Sequence, residues 1–205
     1  TVIEGMDSIL AIMDKEIRRP VEIWLKKHKV VVHTQSMAKG AVVKGKGVSR
    51  KVHMTFEKND EEQTIVVDKV LVTVGRRPNT KGWGLENMGV RMDSSGRFIR
   101  IDDKCQTSVP GIYAIGDVAG DPMLAHKASA QGELVAEVIS GEKRSFDKVA
   151  IPAIVFTEPE IVSVGLSPNE AKEAGEEIIT GKFPLSANGR ALTLEAEKTM
   201  GFIRV

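Results

Sequence analysis

The sequence predicts an α/β chain that passes into an α+β tail, on three observations. Short apolar runs bounded by turn residues recur at Val30–Val32, Lys69–Val74 and Ile112–Ile115, the pattern of strands buried on both faces. The first of them follows a helix-length amphipathic segment, which itself follows the strand-like Thr1-Val2-Ile3-Glu4; strand–helix–strand of this size is a βαβ unit with a right-handed crossover. After Ser145-Phe146-Asp147 the texture changes to short strands around one short helix, which places a domain boundary near Lys148.

Taken in order, Asp14 caps a helix from Lys15 to about His28. Its apolar face is Ile17, Val21, Trp24 and Leu25, and Pro20 removes one backbone bond and should bend it. Residues from about Ala41 to Val67 read as antiparallel: Val52 to Phe56 alternates, Lys58-Asn59-Asp60 turns, and Thr64 to Val67 returns. Lys69 to Val74 is a continuous strand ending at Gly75-Arg76-Arg77-Pro78-Asn79. A glycine-rich loop to Arg97 follows, and then a short strand, Phe98 to Ile101. A helix from Met123 to Ser140 carries Ala128, Val135, Ala136 and Ile139 on its apolar side and stops at Gly141. In the tail, Ile151 to Phe156 is a strand. Ser167-Pro168-Asn169-Glu170 is a capping box with proline at the first helical position, opening a helix to Gly175. Strands follow at Ile178 to Phe183, around Leu192 to Leu194, and at Phe202 to Val205.

With 205 residues, 41% hydrophobic and 28% charged, the chain can build one large core or two modest ones. A net charge of +1 supplies no field for nucleic acid or an anionic membrane. The basic cluster Lys39, Lys44, Lys46, Arg50, Lys51 and Lys58 is irregular and is followed by acids from Glu57 to Glu62, so it reads as a solvated hairpin. The single Cys105 excludes an internal disulfide and fits a reducing compartment such as the cytoplasm. Its polar flanks, Lys104 and Gln106, mark it as a surface or edge thiol. No apolar run approaches the ~20 residues of a membrane span. His28, His33 and His53 share no metal-ligand spacing. Thr1 lies inside a strand-like run without a preceding Met, and Val205 closes another with no cap. Both ends therefore read as internal to a longer protein.

The best functional signal is Thr107 to His126, TSVPGIYAIGDVAGDPMLAH. Asp117 follows an apolar run, the place where open α/β sheets bind ligands. A few residues on, Asp121-Pro122 opens a helix whose first residues are Met123, Leu124, Ala125 and His126. A helix start leaves about four backbone N–H groups unpaired and carries roughly half a positive charge. A carboxylate and a helix start this close can hold hydroxyls and developing negative charge on one ligand. Glu4 ends a strand, where an acid accepts hydrogen bonds from ribose hydroxyls in dinucleotide-binding folds. Gly5, Met6 and Asp7 offer no cation for a 2′-phosphate, which favours NAD over NADP.

TSVPGIYAIGD followed by PMLAHKA resembles the second flavin motif of the FAD-dependent pyridine nucleotide–disulfide oxidoreductases, in the version found in dihydrolipoamide dehydrogenases. The tail, PAIVFTEPEIVSVGLSPNEAKEAG and GKFPLSANGRALTLEAEKTMGFIRV, is similar to the start of that group's interface domain. Glutathione and mercuric reductases differ more after Lys182-Phe183-Pro184. The resemblance implies partial Rossmann-like NAD-binding and FAD-binding segments followed by the start of an α+β interface (dimerisation) domain, over residues 1–80, 81–147 and 148–205. It implies that Glu4, Ala38 and Gly75 contact NAD. It also implies that Asp117 holds the ribityl chain of FAD and that the N–H groups of Met123, Leu124, Ala125 and His126 face the flavin pyrimidine edge. Gly75 would let backbone approach the dinucleotide. Arg76 and Arg77 read equally as ligand contacts or as partners of surface acids. His126 reads as a neutral backbone contact rather than a general base.

The activity implied is reoxidation of dihydrolipoamide with electrons passing through FAD to NAD⁺. The implied partners are a homodimeric second subunit and a dihydrolipoamide-bearing protein of a 2-oxoacid dehydrogenase or glycine-cleavage complex. The redox disulfide and the His–Glu pair of that chemistry are not among these residues, so no catalytic residue is assigned here. The alternatives are an NADH oxidase or flavin transhydrogenase of the same family, and a short non-catalytic nucleotide-binding or dimerisation module.

Overall fold

The computed structural model describes residues 1–146, 151–195 and 201–205. The α/β reading holds, and the chain divides into two compact units. One is Thr1–Val72 with Ile154–Val162 and Leu166–Val205; the other is Thr73–Ala153 with Ser163–Gly165. The expected boundary at Lys148 lies outside the described residues.

In the first unit, β1 (Val2–Ile3) pairs in parallel with β2 (Val32–His33), Val2 opposite Val32. Between them runs α1 (Lys15–Lys27), as the βαβ reading expected. Asp14 caps α1, its Oδ1 accepting the Glu16 N–H at 2.8 Å. The helix continues through Pro20 and buries Val21. It ends without glycine: Lys29 takes φ +57°, its N–H reaching Lys26 O and that of Val30 reaching Leu25 O. These two bonds are the Schellman closure, here with lysine in the left-handed position. The expected buried strand Val30–Val32 is corrected to the two residues of β2. β1 is its one ladder partner among the described residues, and Val31 is exposed.

β3 (Ser36–Lys44), β4 (Lys51–Lys58) and β5 (Glu61–Val67) form an antiparallel sheet in that order. Asn59 and Asp60 both take positive φ, 53° and 62°, the conformation a two-residue hairpin turn demands. The basic cluster is indeed a solvated hairpin, with Lys39 paired to Glu57 at 3.0 Å. Phe56 is fully buried against the His33 ring.

The tail holds β6 (Ala153–Val155), β7 (Ile161–Ser163), α3 (Pro168–Glu173), β8 (Lys182–Pro184), α4 (Gly189–Thr193) and β9 (Phe202–Arg204). β6 pairs with β7, and β8 runs antiparallel to β9. The α3 capping box is complete: Ser167 Oγ accepts the Glu170 N–H, and Glu170 Oε2 accepts the Ser167 N–H. That backbone donor holds the Glu170 carboxyl below its ordinary value. Two expectations fail here. Ile178 to Phe183 is a strand only from Lys182, because only β8 finds a partner and Ile179 projects into solvent. Leu192 to Leu194 is not a strand; Asn188 accepts the Ala191 N–H at 3.0 Å and nucleates α4 instead.

α1 and the β8–β9 hairpin are joined by ion pairs. Arg204 meets Asp14 at 3.0 Å and Glu16 at 2.8 Å, and Lys182 meets Glu16 at 2.6 Å. Burial pushes the Asp14 carboxyl up, but the Arg204 guanidinium and the Glu16 and Ile17 amides outweigh it and leave it below the ordinary 3.8. Lys182, then Arg204, holds Glu16 below 4.5.

The second unit is built around Leu85, Ile99 and Ala114, with Val90, Met92, Ile101, Val118 and Ala119 packed against them. Among its described residues, the helical elements are α2 (Ala125–Ile139), one 3₁₀ turn at Leu85–Met88 and another at Gly116–Ala119. Three expected strands are corrected. Lys69 to Val74, which leads from the first unit into this one, pairs with no described strand, and Leu71 and Val74 are 87% and 91% exposed. Phe98 to Ile101 is reduced to a bridge between Met92 and Ile99, and Ile112 to Ile115 to one between Gln106 and Tyr113. Apolar composition alone makes no strand; a ladder partner is required. Cys105, expected at the surface, is fully buried. It sits at φ +62° in a turn that Asp102 closes by accepting the Lys104 and Gln106 amides, so its polar flanks face outward while the thiol turns in.

Two outcomes are expected. Both depressed carboxyls contribute stability above their ordinary values, and that stability is lost as pH falls through the lower folded values. The thermal midpoint should therefore fall below about pH 4.5 more steeply in the native chain than in Arg204→Met, as read by melting across pH 3–7. Ser167→Ala should destabilise the tail by about 1 kcal/mol in denaturant unfolding.

Candidate functional site

Asp117 lies not at the end of a two-sided buried strand but inside the Gly116–Ala119 turn. Ala114 before it is buried, whereas Ile115 is 38% exposed. The turn is held by backbone and side-chain bonds together. Gly116 N–H donates to Gln131 Oε1 at 2.7 Å, Ile99 N–H donates to Val118 O at 2.7 Å, and Lys127 Nζ donates to Gly120 O. Gly116 takes φ +73°, and a Cβ there would meet Ala128 Cβ at 3.0 Å. Glycine is what allows α2 to lie this close. The Asp117 carboxylate itself makes no hydrogen bond or ion pair among the described residues.

α2 begins later than expected. Its N-cap is Leu124, no side chain caps it, and no acid lies in its first turn. Met123 precedes the helix, and the Leu124 N–H is turned back onto Pro122 O at 3.0 Å. Of the four expected donors, Leu124 is therefore occupied, while Ala125 and His126 stand at the helix start where no intrahelical acceptor exists. The His126 imidazole is also committed: Nε2 donates to Pro152 O, a carbonyl that can only accept. That bond orients the ring toward Pro152.

The buried side of α2 is not the expected Ala128, Val135, Ala136 and Ile139. It is Lys127, Gln131 and Leu134, while Ile139 is exposed. The polar members go inward because the turn offers them backbone groups to satisfy. Sequence reasoning missed Lys127 and Gln131. The signal was their spacing of four, in line with Leu134, on one helical face.

In the first unit, Glu4 follows β1, its N–H bonded to His33 O and its C=O to the Ser36 N–H. Its Oε1 accepts the Met6 N–H at 2.8 Å, which folds the carboxylate over the Glu4–Met6 turn and leaves Oε2 open. The Glu4 turn lies against the start of β3 through the Ser36 bond, and a Cβ on Gly5 would meet Met37 Cε at 3.7 Å. Ala38 is exposed, at a bulge between residues 38 and 40. Glu4 and Ala38 thus lie in the same compact unit. Gly75, at φ +114° and exposed, belongs to the other unit. Arg76 and Arg77 form no ion pair among the described residues. No group of three or more His, Cys, Asp or Glu side chains is placed to hold a metal among those residues, and no helix is long and apolar enough to cross a membrane.

Residues 1–132 match the family described as pyridine nucleotide-disulphide oxidoreductase, and residues 151–205 match that family's dimerisation domain. The chain is 46% identical over 204 residues to dihydrolipoyl dehydrogenase of Pseudomonas aeruginosa, and 47% identical over 205 residues to that of Bacillus subtilis. Each alignment covers 100% of this chain and 42% of the relative's length. Among solved structures, LpdA from Mycobacterium tuberculosis superimposes with a TM-score of 0.81 at 31% identity, over 99% of this chain and 42% of that one. The flavoprotein disulfide reductase RclA from Escherichia coli shares the fold, with a TM-score of 0.81 at 24% identity over 98% of this chain and 44% of its own. Both matching regions of this chain, residues 1–132 and 151–205, lead to one conclusion: it belongs to the pyridine nucleotide-disulphide oxidoreductase family.

Proposed function

We propose that this chain supplies the NAD-holding and flavin-holding surfaces of an enzyme that reoxidises dihydrolipoamide, with NAD⁺ as the final acceptor. The observation that carries the reading is the pairing of an unpartnered Asp117 carboxylate with an uncapped helix start a few residues on. These groups fit a flavin dinucleotide. A carboxylate without a protein partner is an acceptor for ribityl hydroxyls, and free helix-start amides are donors for the carbonyls and ring nitrogen of a pyrimidine edge. The identity of 46% with a dihydrolipoyl dehydrogenase along the whole chain supports dihydrolipoamide as the substrate.

FAD, when bound, supplies the two-electron carrier between a dithiol and NAD⁺. The work of this chain is to bind and orient. Asp117 would hold the ribityl chain. The amides of Met123, Ala125 and His126 would favour negative charge at the pyrimidine edge through the helix dipole, with Leu124 serving as the N-cap that aims them. The imidazole of His126 is tied to Pro152 O and acts as a brace, not as a base. Glu4 Oε2 would accept a ribose hydroxyl of NAD beside the Ala38 backbone, and Gly75 would admit close approach of the dinucleotide. Cys105 is buried inside its turn and is not a redox thiol. The matching dimerisation domain, together with exposed Phe156, Ile179 and Val205, supports a homodimer; a lipoyl-bearing protein of a 2-oxoacid dehydrogenase or glycine-cleavage complex would deliver the substrate. Within this reading, residues 1–80, 81–147 and 148–205 serve NAD binding, FAD binding and dimerisation.

Asp117→Ala should weaken FAD retention about tenfold or more, the cost of losing a charge-assisted hydrogen bond, with NADH affinity unchanged. Flavin content after dialysis reads it, and an unchanged content removes Asp117 from the site. Glu4→Ala should raise the KM for NAD⁺ about tenfold with flavin content intact; an unchanged KM removes Glu4.

A further inference from the structure

We propose that Gln131 and Lys127 are positioning residues that grip both ends of the Gly116–Ala119 turn from one face of α2, and so lock Asp117 in register with the helix start. The proposal rests on the reading of Asp117 as a flavin ligand.

Gln131 is 1% exposed and accepts the Gly116 N–H, where the chain enters the turn. Lys127 is 3% exposed and donates to Gly120 O, where the chain leaves it. The two residues are four apart, so their side chains rise from adjacent turns of one helical face. The helix whose first amides face the ligand therefore also holds the turn that presents the carboxylate. A five-residue segment outside any sheet has no ladder to fix it, and these two bonds replace the ladder. Ile99 N–H, bonded to Val118 O, closes the middle of the turn onto the core. Gly116 permits the grip, because a Cβ would press on Ala128. Both halves of the site then move as one piece, and the distance from Asp117 to the helix start is set before any ligand arrives.

A long polar side chain buried in a helix could serve packing alone, and the test separates the two roles. Gln131→Met keeps the volume and removes the acceptor, whereas Gln131→Glu keeps an acceptor oxygen. The readouts are amide hydrogen exchange at Gly116 and Asp117 in the protein without added flavin, and the FAD dissociation rate in the loaded protein. Gln131→Met should speed both about tenfold, and Gln131→Glu should return both to within about twofold of the native chain. Native-like exchange at Gly116 in Gln131→Met overturns the proposal, as does a Gln131→Glu protein that folds yet behaves like Gln131→Met. If Gln131→Met does not fold, Lys127→Met applies the same readouts from the Gly120 end, and native-like exchange there overturns the proposal equally. Asp117→Ala separates the two levels of argument: if it keeps its FAD, the flavin reading fails, while Gly116 exchange still decides the grip.

Discussion

The hydrogen bond from the Gly116 amide to Gln131 is the constraint on which the site depends. It lies where water does not reach, so leaving either group unpaired would cost about 1–3 kcal/mol. Its partners are a left-handed glycine and a side chain from the middle of a helix. One bond therefore ties together the turn, the helix and the core residue Ala114 two positions earlier. Asp117 inherits its position from this arrangement: the hydrogen bonds of the turn use the turn's own backbone groups, and in the proposed reading the carboxylate is left for a ligand.

A second constraint acts on the first compact unit. Asp14 caps α1 and meets Arg204, so a single carboxylate both starts the helix and fastens it to the β8–β9 hairpin. The sequence motifs divide the chain near residue 148, whereas compactness groups α1 with residues 166–205. Ion pairs spanning some 190 residues of sequence explain why the two divisions differ.

What was legible in the sequence was whatever residues within about four positions of one another decide. The Asp14 cap, the capping box of α3 and the Asn59-Asp60 turn are of this kind, and the structure shows all three. The flavin-type motif stood out for the same reason, as a contiguous run. Strand assignments failed wherever the apolar pattern had no partner: Leu71 and Val74 read as core and are exposed. α4 was missed because Leu192 and Leu194 outweighed the Asn188 cap that nucleates it. Lys127 and Gln131 were missed because polar residues on a helix are read as solvated. The turn's backbone groups, 7 and 15 residues away in sequence, draw them inward.

In the proposed reading one chain carries two separate ligand surfaces, one at Gly116–His126 and one at Glu4–Ala38. Residue-resolved amide shifts on titration with FAD and, separately, with NAD⁺ test it most directly. The expected result is that FAD perturbs Gly116, Asp117, Ala125 and His126, while NAD⁺ perturbs Glu4, Gly5 and Ala38. Shifts from both ligands at one set of residues, or FAD shifts that bypass Asp117, would contradict two separate surfaces.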